Sequence, residues 1–161
     1  MCQIERTRSF VSPLNIALSC SSEDRILSNQ LAQRLIDEEH SVSINYSSNS
    51  STSKFTKTDL VIICFSRNYS EDVHCMKTID WMVKSTKKFI PVLFTRSSIH
   101  QDDNWLQRIS VEEKFYFSLK QEIRFRLKED IHLDYDRLIL EVVRSTLVTR
   151  CLSLLLCDSF D

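Results

Sequence analysis

The chain contains no glycine in 161 residues, although average usage of about 7% would place roughly 11 in this length. A phosphate-cradling P-loop and a dinucleotide fingerprint both need glycine, because only a bare backbone lets main-chain N–H groups come close to a phosphate. Both are excluded in their usual form. Turns that require positive φ must fall to Asn, Asp or Ser, which tolerate that region best after glycine. An excess of basic charge is also missing: Lys+Arg is 21 and Asp+Glu is 22, a net charge of -1. A nucleic-acid footprint would need a basic excess gathered on one face. No apolar run approaches the roughly 18 residues that span a bilayer. The nearest, Leu147 to Cys157, is short and interrupted by Arg150.

The six cysteines, Cys2, Cys20, Cys64, Cys75, Cys151 and Cys157, form no CxxC pair. The N-terminus lacks the basic stretch, apolar stretch and small-residue cleavage site of a secretory leader. Free, partly buried thiols in a reducing cytoplasm are therefore expected, and the Asn-x-Ser sequons at Asn45, Asn49 and Asn68 carry no meaning there. His40, His100 and His132 have no acidic or Cys partners at ligand spacing, so no metal site is expected.

What the chain does contain is an ordinary globular composition, 42% hydrophobic and 27% charged. Its length is close to the roughly 150 residues of one domain. Residues 1–13 read as a lead-in, 14–148 as the domain and 149–161 as a tail packed on it. Leu14 to Cys20 is a short apolar run, expected as a buried strand. Ser21 with Asp24 three residues on has the form of a capping box. In the helix that follows, Leu27, Leu31 and Leu35 mark one face, widened by Ile26, Ala32 and Ile36. Val42, Ile44 and Tyr46 alternate with polar residues, which predicts a second strand over 41–46. Ser47 to Ser53 is a polar connector, and Lys54 to Lys57 is expected to hold one helical turn.

Leu60 to Phe65 is six consecutive apolar residues, the pattern of a central parallel strand covered on both faces. A helix is expected over 66–84, with Val73, Met76, Ile79 and Val83 at helical spacing. Phe89 to Phe94 is a fourth strand, beginning or bordering the sheet at Pro91 because proline lacks a ladder donor. Phe115 to Phe117 with Leu119 is expected as a fifth strand, and residues 121–128 fit no pattern clearly. Tyr135 to Leu147 predicts a last helix with Leu138, Val142 and Val143 on one face. Strand and helix alternate five times. The expectation is an α/β fold of about five mostly parallel strands with helices on both faces.

Read in order, several of these segments resemble the Toll/interleukin-1 receptor (TIR) domain family. Asn15 to Asp24 is similar to the family's first strand and turn. Thr58 to Tyr69 is similar to its third strand with a trailing Ser-x-Asn-Tyr, here Ser66-Arg67-Asn68-Tyr69. Cys75 stands where the family's helical Cys stands, and Lys88 to Leu93 looks like the strand carrying Ile-Pro-Val-Leu. Asn104-Trp105-Leu106 ahead of the 115–117 strand resembles the Trp-Leu segment of a divergent TIR-like subgroup. The ordered set covers roughly 15–147. It implies a flavodoxin-like/TIR-like three-layer fold and a protein-interaction role in intracellular, innate-immune-type signal transduction. Implied partners are other TIR-like domains or signalling proteins, or further copies of itself, with no nucleic acid. Ser21, Ser22, Asp24, Asn68, Tyr69, Cys75, Trp105 and Leu106 are the residues that the resemblance marks as interaction candidates.

TIR domains that cleave NAD+ place a Glu three residues beyond the helical Cys, and here that position is Thr78. A hydroxyl that does not ionise near neutral pH cannot stabilise a developing oxocarbenium ion as a carboxylate does. The expectation is therefore no catalysis and no cofactor. The alternative is an NAD+ hydrolase with a displaced carboxylate, Asp80 or Glu71. Asp80 lies about 200° around the helix from Thr78, and Glu71 sits near a helix start, where the dipole favours acids. The middle stretch 47–57 also departs from the family's Gly- and Pro-containing contact loop. Phosphorylation of its serines is one use for it; a flexible connector is the simpler one.

Overall fold

The protein was analysed as a computed structural model, which describes residues 13–46, 53–85, 87, 89–94, 125–127, 135–142 and 144. The strands are β1 (Asn15–Cys20), β2 (Ser41–Tyr46), β3 (Leu60–Phe65), β4 (Phe89–Phe94) and β5 (Phe125–Leu127). The helices are α1 (Arg25–Asp37), α2 (Ser53–Thr56), α3 (Arg67–Glu71), α4 (Val73–Lys84) and α5 (residues 135–142), and a 3-10 turn at Ser22–Asp24 leads into α1. All strands pair in parallel, in the order β2-β1-β3-β4-β5. The chain runs outward from β1 to β2, then returns past β1 to β3 and continues the other way. The order therefore reverses between β1 and β3.

That reversal puts helices on both faces. On one side, Leu27, Leu31, Ala32 and Leu35 of α1 and Tyr135, Leu138 and Val142 of α5 pack on Ile16, Leu18, Cys20, Leu60, Ile62 and Cys64. On the other, Phe55 of α2, Tyr69 of α3 and Cys75, Ile79 and Met82 of α4 pack on Ala17, Val61, Ile63, Phe65 and Leu93. Every residue of β3 is buried, its odd and even positions feeding opposite cores. The unbroken apolar run 60–65 is the sequence signature of that position. Val42, Ile44 and Tyr46 of the edge strand β2 reach the α1 side only in part.

Several expectations are corrected. Ile26 and Ile36 do not widen the α1 stripe; they are 65% and 47% exposed, and Ser28 takes the buried place between them. The expected helix over 66–84 breaks at Asp72, whose extended backbone (φ -94, ψ 118) ends α3. Its carboxylate accepts from the N–H groups of His74 (2.8 Å) and Cys75 (3.2 Å), capping α4. The break resets the helical phase. The buried face of α4 is Cys75, Thr78, Ile79 and Met82, while Val73 and Val83 face outward.

Pro91 sits inside β4 opposite Ile63, with β4 interior to the sheet; among the described residues β5 pairs with Val92, Leu93 and Phe94. The expectation that β4 begins or borders the sheet at Pro91 is therefore corrected: the strand starts two residues earlier, at Phe89, and lies between β3 and β5. Residues 115–119 lie outside the described residues; the strand that pairs with β4 is Phe125–Leu127. The single positive φ among the described residues is at Glu39 (φ 67), and not at Asn, Asp or Ser. There the His40 N–H bonds Leu35 O (3.1 Å) and the Glu39 N–H bonds Ile36 O (2.9 Å). Those two bonds are a Schellman C-cap built without glycine.

Candidate functional site

In an open parallel sheet, ligands and contacts gather at the carboxyl ends of the strands where the order reverses. Here that point lies between the segments after β1 and after β3. Ser21 follows β1 and accepts from the Glu23 N–H (3.4 Å), holding the 3-10 turn. Asp24 does not close a capping box, and α1 receives no side-chain cap from it. Its carboxylate turns across the switch point, accepting from the Ser66 hydroxyl and from Asn68 Nδ2 (3.2 Å), and is only 7% exposed. The Ser66 hydroxyl in turn accepts from the Tyr69 N–H (3.0 Å), so one side chain caps α3 and ties it to the α1 entry. Tyr69 runs under the same edge, its hydroxyl 2.8 Å from Ser19 Oγ and its ring edge-on to Phe65 at 5.5 Å. Burial pushes its phenol well above the ordinary range.

The thiols nearby are built as packing. Cys75 Sγ donates to Cys20 O at 3.8 Å, and burial, with Asp72 adding to it, holds the Cys75 thiol in its neutral form. Burial does the same to Cys64. A neutral thiol in an apolar wall is neither nucleophile nor soft metal ligand. Among the described residues no cluster of His, Cys, Asp and Glu could hold a metal ion, and no helix is long and apolar enough to cross a membrane.

Thr78 is 2% exposed, and its hydroxyl donates back to His74 O (3.2 Å) on its own helix. Asp80 pairs with Lys84 Nζ (3.2 Å) on the outer side of α4, and Glu71 pairs with Arg67 Nε (3.1 Å) on α3. Both carboxylates are occupied in surface i,i+4 pairs. His74 is exposed and Cys75 buried, so these neighbours diverge as helix geometry requires. Half-buried Trp81 packs at 5.9 Å on Phe55.

Of the eight interaction candidates, Ser21, Asp24, Tyr69 and Cys75 are buried and make the frame of the switch point. Ser22 and Asn68 remain half-exposed above it. Trp105 and Leu106 lie outside the described residues, as do Cys2, Cys151, Cys157, His100 and His132. Two features went unread in the sequence. The sequence marks Ser66 only as part of a motif; its bonds to Asp24 and from Tyr69 make it the hinge of the network. Arg25, whose guanidinium lies 5.2 Å over the Tyr46 ring, carried no signal, since the pair joins a helix start to the end of the next strand.

No family model and no curated protein matches the chain. Solved structures do. NtrX from Brucella abortus, crystallised with ADP, is 15% identical with a TM-score of 0.51, covering 91% of this chain. The chain spans only 29% of that protein's length. The signal receiver domain of a protein assigned as a Luxo repressor, from Vibrio parahaemolyticus, is 14% identical with a TM-score of 0.52 over 89% of this chain and 98% of its own. A short-chain flavodoxin associated with a non-canonical PDU bacterial microcompartment is 10% identical with a TM-score of 0.51 over 86% and 99%. The chain therefore has a flavodoxin-like fold. Likeness at this identity carries the fold alone. None of these three is a TIR domain by its description, and what they share with the TIR resemblance is the flavodoxin-like architecture.

Proposed function

We propose that this chain is a TIR-like protein-interaction module in cytoplasmic, innate-immune-type signal transduction, and that it works without catalysis. The observation that carries the reading is the state of the switch point. The carboxylate buried there among the described residues, Asp24, is held by Ser66 and Asn68, and the position of the family's catalytic Glu is Thr78, turned back onto its own helix. Such a network orders a surface. Its own members, Asp24, Ser66 and Thr78, spend their polar groups on one another or on their own helix.

The surface above it, with half-exposed Ser22 and Asn68 beside exposed Glu23 and Arg25, presents mixed polar groups suited to another signalling domain. The signal receiver domain among the structural neighbours is in keeping with a signalling role. Purified protein incubated with NAD+ is expected to leave it intact, and Thr78→Glu by itself is expected to confer no cleavage. Tagged protein is expected to capture TIR-containing partners, less well after Asn68→Ala. Turnover of NAD+ by the unaltered chain would overturn the proposal.

A further inference from the structure

β2 is the outer strand of the sheet beyond β1, and among the described residues nothing pairs with its free edge. Its sequence, Ser-Val-Ser-Ile-Asn-Tyr, holds no charge and no proline, and it runs in unbroken register with β1 over all its residues. Charges, prolines and bulges are the usual devices that keep an edge from pairing with another chain. β2 has none of them.

The orientation of the edge can be read from one bond. The Ser41 N–H bonds Leu14 O at 2.8 Å, on the β1 side. Main-chain groups of successive strand residues point to opposite sides. Ser43 and Asn45 therefore follow Ser41 toward β1, and Val42, Ile44 and Tyr46 turn their N–H and C=O groups outward. An antiparallel pairing with a second β2, centred on Ile44, sets Ile44 against Ile44 and Val42 against Tyr46. Each outward N–H then meets an outward C=O. The faces also agree: apolar side chains meet on the α1 side, and Ser43 meets Asn45 on the other.

The charges flanking the strand select this orientation. At its carboxyl end stands exposed Arg25, over the Tyr46 ring. At its amino end, just before Ser41, stand exposed Glu38 and Glu39. A six-residue strand is about 20 Å long, against a screening length of about 8 Å at physiological salt. A parallel pair would set like charges together. The antiparallel pair sets Arg25 beside Glu38 and Glu39 of the second copy, at both ends.

We propose that β2 is a self-association edge, through which two copies of this chain join their sheets antiparallel about a twofold axis at Ile44. This goes beyond the signalling reading and does not depend on it. The test is sedimentation equilibrium of the full chain over a wide concentration range. Unaltered protein is expected to show a monomer–dimer equilibrium. Val42→Pro removes an outward donor while leaving the β1 ladder intact, and is expected to weaken the dimer about tenfold or more, with circular dichroism checking the fold. Arg25→Glu is expected to weaken it similarly, and adding Glu38→Lys and Glu39→Lys to that variant is expected to restore it, as complementary charges dictate. A chain that stays monomeric throughout overturns the proposal, and so does a dimer indifferent to all of these substitutions.

Discussion

Replacing Asp24 by Ala tests whether the switch-point network supports the fold. The carboxylate accepts from the Ser66 hydroxyl and from Asn68, and is nearly buried. Hydrogen bonds to a charged group contribute about 1.5–3 kcal/mol each. Part of the loss is recovered, because Asn68 is half-exposed and can turn to water. The Ser66 hydroxyl is buried and keeps only its bond from the Tyr69 N–H. The net expectation is a destabilisation of about 3 kcal/mol. With a urea m-value near 2 kcal/mol/M, the midpoint falls by about 1.5 M. Trp81, packed on Phe55, supplies the fluorescence signal. A double-mutant cycle with Ser66→Ala should return a coupling of about 1–2 kcal/mol, since the two side chains share one bond. A loss below about 0.5 kcal/mol, or strict additivity with Ser66→Ala, would refute the reasoning.

Other outcomes follow from the same geometry. His40 accepts at Nδ1 from the Leu14 N–H (3.3 Å), and its pKa is lowered by burial, with Glu38 opposing. The folded state then binds fewer protons than the unfolded state, so stability is complete above about pH 6.5 and declines as pH falls below it. Urea midpoints at neutral and mildly acidic pH should show this slope, and His40→Gln should flatten it. Glu39→Gly should raise stability by about 0.5–1 kcal/mol, because it relieves a left-handed backbone that glycine adopts freely; an unchanged melting temperature counts against strain at Glu39. Thr78→Val removes a hydroxyl bonded only to its own helix and should cost less than about 1 kcal/mol, while Phe55→Ala, in the core, should cost about 3–5 kcal/mol, both read by urea unfolding. In native protein Cys64 and Cys75 should resist iodoacetamide until unfolding exposes them, as peptide mapping by mass spectrometry would reveal.

The alternation of strand and helix was legible because its signals are local. The apolar run 60–65, the leucines 27, 31 and 35, and the alternation at 42, 44 and 46 each report a periodic surface that one element must bury. One helical turn near residues 54–57, found at Ser53–Thr56, and the parallel pairing of the strands also followed from pattern, though their order did not. The phase of α4 was not legible, because Asp72 breaks the helix with a residue that is also acceptable within a helix start. Only the packed structure decides that Thr78 faces the core and Val73 faces solvent.

The partners of Asp24 show the same limit from the side of the site. By itself the sequence determined that this chain cannot cradle phosphate with glycine, that it alternates β and α, and that a hydroxyl occupies position 78. The tertiary structure alone decided that Asp24 abandons its own helix for Ser66 and Asn68, more than forty residues away. Periodicity records which face of an element is buried. Which polar groups meet across the sheet depends on strand order and register, and these are fixed only when the elements pack together.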